Sequence, residues 1–456
     1  MTILNLLARY KSTVKHLFVG GLLLLAQNTF AQTNSVSPLS ISGLGETSFG
    51  ITPTFLGLGG TGIAYADRYT INMYNPAGYT NMNYTTLEMS GAHRTFRHEI
   101  ETDGVDQDNY NTYFDYFGFG FKFNDYFAGA FSISPYAAKG FNISVADSSE
   151  DFGVYEYRSI GQGGFDQFKL GLAVEPVKWF SFGANMNYIF GETTQSNKTI
   201  IADNSFLSVS KTQKNGISDF NFDFGTQFKF NVGSYKINAG AIYALGGAMN
   251  ARQISTQYSF INSGIVETPV DTLFYNLAEN GTFTLPSSYG AGISFSKDVA
   301  NSPINAWDFV ADYRVTNFSE YRGFVVENGP VPPSSLSNSE RMSAGFVFVP
   351  AYAISSLKRN ANYFAIARYR LGASTETGQY QWNTDPYTSR EVNMGMSFPI
   401  VYRSLAPGEQ KASFLNISIG RGERWDGSAS SLKETYWNFN LGMTLNDKWF
   451  QQFKYR

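Results

Sequence analysis

Gly57, Gly59 and Gly62 stand in the order G-x-G-x-x-G, the spacing with which a dinucleotide fold cradles a pyrophosphate. That chemistry needs a strand before the glycines, a helix after them and an acid about 20 residues on. Here Pro53 precedes the loop, no amphipathic helix follows before Pro76, and Asp67 comes too early to hold a ribose. In a chain with 44 glycines the spacing is expected without function. The run His93 to Glu99, HRTFRHE, offers ring nitrogens and a carboxylate, but a metal site needs ligands that converge. It reads as a rim loop. DGVDQDN, from Asp103, lacks the Gly and Glu spacing of a calcium loop and reads as a solvated external loop. No Ser-His-Asp or paired-carboxylate constellation stands out, and no histidine falls within a strand core. An enzyme, a metal and a cofactor are therefore not expected.

A second set of charges recurs in a pattern. Lys169, Asp223, Lys229, Asp308, Asp312, Arg314, Arg368 and Arg370 each lie opposite an aromatic face. Two readings stand: a salt-bridged wall bracing whatever fills the interior, or ligand contacts from Lys229, Arg314, Arg368 and Arg370. An arginine fork suits a ligand carboxylate.

The elements that would position these charges follow a period of two. FNFDFGTQFKF places Phe220, Phe222, Phe224, Thr226, Phe228 and Phe230 on one face and Asn221, Asp223, Gly225, Gln227 and Lys229 on the other. FDYFGFGFKF, FKLGLAVE, FSFGANMNYIF, WDFVADYRV and YWNFNLGMTL repeat the alternation, which is the strand signature. The runs hold for about ten residues, the length of a bilayer crossing and longer than a typical soluble strand. About fourteen such runs are present, from near Asn83 to the one starting near Glu434. Tight turns at Asn124–Asp125, Pro176–Val177 and Val232–Gly233 alternate with long polar joints, as short periplasmic turns alternate with external loops in outer-membrane barrels. The expected fold is all-β: a transmembrane antiparallel barrel of about 14 strands, residues 83–446.

Composition agrees. Aromatics and charged residues each make up 16% of the chain, with 40 Phe and 29 Tyr, so apolar surface is abundant and charge is scarce. With no cysteine there is no disulfide framework, and a formal charge of −3 gives no reason to expect nucleic acid. Arg9, Lys11 and Lys15 precede the apolar stretch Leu17 to Ala26, and TFA precedes Gln32, a signal-peptide pattern over residues 1–31. Residues 32–82 are rich in Gly, Ser and Thr and lack periodicity. They would form a plug in a lumen too wide for side chains to fill. Residues 447–456 are a tail.

Asn75, Pro76 and Ala77, after a stretch that includes Gly59 and Gly62, resemble the hatch of the FadL family of outer-membrane transporters. TLPSSYGAGISFSK followed by WDFVADYRVTNFSEYRG is similar to that family's Leu-Pro strand and Asp-bearing strand. The resemblance implies a hatched 14-stranded barrel in the outer membrane of a Gram-negative cell. It would carry fatty-acid-like hydrophobic small molecules passively and release them through a lateral gap at a kinked third strand. Pro135 in the third run is the gap candidate, since proline is normally kept from strand interiors; the alternative is that the run ends there. The tail NDKWFQQFKYR resembles FadL-like proteins of the Bacteroidetes group, some of which serve as accessory barrels in secretion or assembly machines. Outer-membrane lipid and, in that role, other outer-membrane proteins would be the partners.

Overall fold

The computed structural model describes residues 35–47, 50–151, 153–203, 205–262, 266–297, 306–327, 329–331, 336–350, 363–382, 385–406 and 409–447. The segment expected to be a signal peptide and the residues beyond Asp447 lie outside them. The wall comprises β1 (Thr85–Ile100), β2 (Val105–Lys122), β3 (Phe127–Ala138), β4 (Phe141–Ser149), β5 (Gly153–Val177), β6 (Phe180–Ile201), β7 (Ser208–Val232), β8 (Tyr235–Ala244) and β9 (Gly247–Asn262). It continues through β10 (Glu267–Leu285), β11 (Ser288–Lys297), β12 (Trp307–Thr316), β13 (Arg322–Val326), β14 (Ser339–Phe348), β15 (Arg368–Trp382), β16 (Asp385–Ala406), β17 (Glu409–Trp425) and β18 (Lys433–Asp447).

These eighteen segments make fourteen antiparallel crossings, because β3/β4, β8/β9, β10/β11 and β12/β13 are each one strand with a break. The partners show it: β5 pairs with both β3 and β4, and β7 with both β8 and β9. The ring closes where β1 meets β18, from Thr85↔Asp447 to Glu99↔Lys433. Closure pairs the first strand with the last, so neither is left as an edge in lipid.

The alternation sorts side chains as expected. Phe220, Phe222 and Phe230 are exposed on the outer face of β7, while Gly225 and Gln227 are buried on the inner one. The external joints differ from the polar loops anticipated from sequence. NISVADSSEDFGVYEYRSIGQ forms β4 and the start of β5, and the joints after Gly191 and Asn250 are likewise paired strand. β5 and β7 each run 25 residues. A crossing uses about 9–11, so more than half of each strand stands above it. Polar residues on both faces hid these extensions, since a strand outside lipid needs no apolar side.

Residues 35–47 and 50–82 lie inside the ring. Among these described residues the helical turns are short, Pro38–Ile41, Pro53–Leu56 and Pro76–Asn81, and most positions are buried and none is exposed. Small wall residues admit them: a Cβ on Gly183 would come within 2.4 Å of Pro76, and one on Gly345 within 2.7 Å of Leu58.

Phe224 lies near mid-crossing on the outer face. Phe224→Arg should destabilise the barrel by about 2–4 kcal/mol, seen as loss of the compact, boil-sensitive band on gels. Asp223→Asn, facing inward, should leave that band in place.

Candidate functional site

The interior is a set of polar locks between the N-terminal segment and the wall. Asn75 sits in the first of them. Its Oδ1 accepts from the Ala77 N–H at 3.0 Å, and its Nδ2 donates to the Ile63 carbonyl at 2.7 Å and to the Thr226 carbonyl of β7 at 3.0 Å. It thereby caps the Pro76–Asn81 turn, which proline can open because it has no N–H to satisfy. Asn72, not singled out in the sequence, does parallel work: it donates to the carbonyls of Gly62 and Tyr65 and accepts from the N–H groups of Tyr74 and Asn75. An isolated Asn in aperiodic sequence carries no signal that separates it from any loop Asn.

The glycine-rich loop lies against β15 and β12. Gly59 adopts φ +70°, and a Cβ there would meet Ala373 backbone at 2.7 Å. Gly62 and Ile63 donate their N–H groups to Asp312 Oδ2 at 2.6 and 2.9 Å. So the glycines serve close approach to a wall, and the backbone N–H pair meets a carboxylate of the protein itself.

Of the inward cations expected to meet a ligand, Arg368 and Lys229 contact this segment, whereas Arg370 bonds the wall. Arg368 contacts Asp67 at 2.7 Å, both buried, with its guanidinium 4.6 Å from the Tyr69 ring centroid and 5.0 Å from that of Phe414. Arg370 bonds the Ser397 hydroxyl. Lys229 meets Glu175 at 2.6 Å and reaches Thr80 of the segment at 3.4 Å. Arg314 lines a cavity of about 260 Å³ together with Ile51, Tyr74, Tyr136, Asp223 and Arg341. In that cavity Lys169 pairs with Asp223 at 3.2 Å, and Arg341 with Glu376 at 2.9 Å.

A further buried cluster lies toward the external end. Glu46 Oε1 receives Arg94 and Arg424, each at 2.8 Å; Arg424 also meets Glu434 at 3.3 Å, and Ser37 donates to Glu434. Its members span positions 37 to 434, and no local spacing announces it. His98 joins at 3.3 Å from Glu434, whereas His93 lies on the opposite face of β1 beside Thr112. The two rings therefore do not converge.

Pro135 lies within β3, opposite Asp166, with a bulge before Ala137. The strand continues past it. The β2–β3 ladder nevertheless stops at Phe117↔Ile133, although β2 runs outward to Val105. The N-terminal segment fills this slot. Glu46 and Ala138 exchange backbone hydrogen bonds at 2.8 and 2.9 Å, and Gly50 donates its N–H to Asp115 Oδ1 at 2.9 Å.

The scan against protein families matches residues 13–456 to the family described as BamG. Among solved structures, a Pseudomonas aeruginosa FadL homologue aligns with TM-score 0.55 at 10% identity, covering 89% of this chain and 100% of its own. The Ralstonia pickettii toluene transporter TbuX gives 0.53 at 14%, covering 87% and 98%. The Pseudomonas putida toluene transporter TodX gives 0.55 at 12%, covering 88% and 99%. At these identities the likeness is one of fold. No curated protein sequence matches the chain.

Burial works against both segment carboxylates, yet Arg424 and Arg94 hold Glu46, and Arg368 and Arg370 hold Asp67, below the usual carboxylate range. A depressed folded-state pKa gives stability that is complete above the unfolded value of about 4 and lost as pH falls through the lower folded values. Hydrogen exchange over residues 44–78 should therefore stay slow at neutral pH and accelerate only below about pH 4. Arg368→Ala, which leaves Asp67 buried without its ion-pair partner, should loosen the segment by up to about 3–5 kcal/mol at neutral pH. The barrel's own amides should remain protected in both cases.

Proposed function

The chain belongs to the BamG family, and from that premise we propose that it is an accessory barrel of the outer membrane that works by docking other outer-membrane proteins. The observation that carries this reading is the sheet standing above the membrane. The upper parts of β5, β6, β7, β9 and β10, with β4, continue the wall outward on one side. Tyr157, Phe206, Val270, Leu273, Phe274 and Tyr275 are exposed there, beyond the reach of acyl chains. Exposed apolar clusters of this kind mark protein contacts. Among the described residues, β4 pairs only with β5, and Glu267 to Glu279 of β10 pair only with β9. Such edges invite strand addition by a partner. The filled lumen supports the same reading, because a cavity of about 260 Å³ lined by charged pairs is smaller and more polar than a usual site for an apolar ligand.

A second reading has its own support. The fold likeness to proteins named as toluene transporters, and the slot beside Pro135, favour passive movement of hydrophobic small molecules, fatty-acid-like in the family resemblance. In that reading residues 35–82 are a gate, with Asn75-Pro76-Ala77, Gly59 and Gly62 holding it, and ligand passes Arg314 in the cavity.

Photo-crosslinking amino acids at Tyr157, Phe274 and Phe222 separate the two. The docking account expects crosslinks to another outer-membrane protein from the first two positions and to lipid alone from Phe222. Replacing Leu273, Phe274 and Tyr275 by Ser should release that partner while the boil-sensitive band persists. Absence of any protein crosslink, with a hydrophobic compound co-purifying in the lumen, would favour transport.

A further inference from the structure

The outer face of β14 to β18 carries a chemistry that neither lumen nor docking sheet accounts for. Cross-strand registers order its outward residues into levels. The lowest of three is apolar: Phe346, Leu371, Met394, Ile419 and Phe439 lie side by side. The next holds Ala344, Ala373, Val392, Arg421 and Trp437, and the highest holds Met342, Thr375, Arg390, Glu423 and Thr435. Ala344 and Ala373 are too small to fill the space between their larger neighbours, and a trough of about 650 Å³ results.

Two guanidiniums stand along its β16–β17 side, Arg421 on the level of the alanines and Arg390 on the level above. Arg390 is 71% exposed and only loosely paired with Glu423, at 3.7 Å. Arg421 lies over the Trp437 ring, 5.4 Å from its centroid. They sit on neighbouring strands in diagonal register, so their Cα atoms are about 7–8 Å apart, within reach of one anion for side chains of this length. A charge on the lipid side of a barrel wall is costly away from the interface. Arg421 belongs to a level flanked by Val392 and Trp437, with an all-apolar level directly beneath. A tryptophan at that height marks the headgroup boundary. Small residues on Arg421's own level, an all-apolar level beneath it and an aromatic platform beside the arginines match one class of molecule.

We propose that this trough binds a phosphorylated acyl lipid of the outer leaflet, its chain lying along Ala344 and Ala373 and its phosphate bridging Arg390 and Arg421. Arginine forks take phosphate oxygens in pairs, and Arg390 would exchange its long contact with Glu423 for the phosphate. The inference rests on the wall and its registers and is independent of the docking role proposed above.

The delipidated full-length protein in mild detergent is offered phosphatidic acid, the matching diacylglycerol, or inorganic phosphate, and bound species are counted by native mass spectrometry. Wild type should retain phosphatidic acid and not diacylglycerol, and inorganic phosphate at equal concentration should not displace it. The double substitution R390Q/R421Q should lower retention by about tenfold or more, the worth of charge-assisted hydrogen bonds, with the boil-sensitive band unchanged. Ala373→Phe, which fills the trough and leaves both arginines in place, should lower it as well and serves alone if the double variant does not assemble. Equal retention by the variants, equal binding of diacylglycerol, or displacement by inorganic phosphate would each overturn the proposal.

Discussion

Backbone placed in lipid must find every hydrogen bond within the protein, and this barrel has one place where its ladder does not. Between β2 and β3 pairing ends at Phe117↔Ile133. The neighbouring strand turns away at the bulge that follows Pro135. At this place the N-terminal segment bonds both strands, through the Glu46–Ala138 bridge and the Gly50–Asp115 bond. Much of the interior follows from this. A segment that serves as part of the wall has to be anchored, and the anchors are the buried charges.

The anchoring has a consistent logic. Fourteen strands enclose more space than wall side chains can fill, so the segment occupies the lumen, where specific polar contacts seat it. Asn72 and Asn75 satisfy its turns, Asp312 receives two of its N–H groups, and Glu46 and Asp67 meet arginines from the wall. Buried ion pairs of this kind add little to net stability compared with apolar packing, but removing one partner is expensive. They therefore specify position more than strength. The charges fix one seating of the segment, and the same economy leaves little room for an apolar ligand.

The crossings were legible because lipid enforces an apolar face with a period of two. The first and last runs, expected near Asn83 and Glu434, begin in the structure at Thr85 and Lys433. Where lipid no longer acts, the signal faded: the outer parts of β5, β6, β7, β9 and β10 alternate without an apolar side and looked like loops. The breaks at Lys139–Gly140, Leu245–Gly246 and Pro286–Ser287 were hidden with them, since each joins a crossing to a paired outer extension that looked like loop. Of the site, Asn75, Pro76 and the glycines were visible through a short motif, and Arg368 and Arg370 through their place opposite aromatic residues. Their partners were not. Asp67 and Arg368 lie 301 positions apart, and Glu46 and Arg424 lie 378 apart. Pairing at that range is set by which strands the ring brings together, and a single sequence does not record it.

The central claim is that the N-terminal segment, seated by buried charges, seals the barrel. Single-channel recording in planar bilayers tests it most directly. The purified wild-type protein is predicted to insert without stepwise ionic conductance, and a variant lacking residues 35–78 to open a steady, large pore. Sustained porin-like conductance from the wild type, or a deletion variant that inserts folded yet stays closed, would contradict the account.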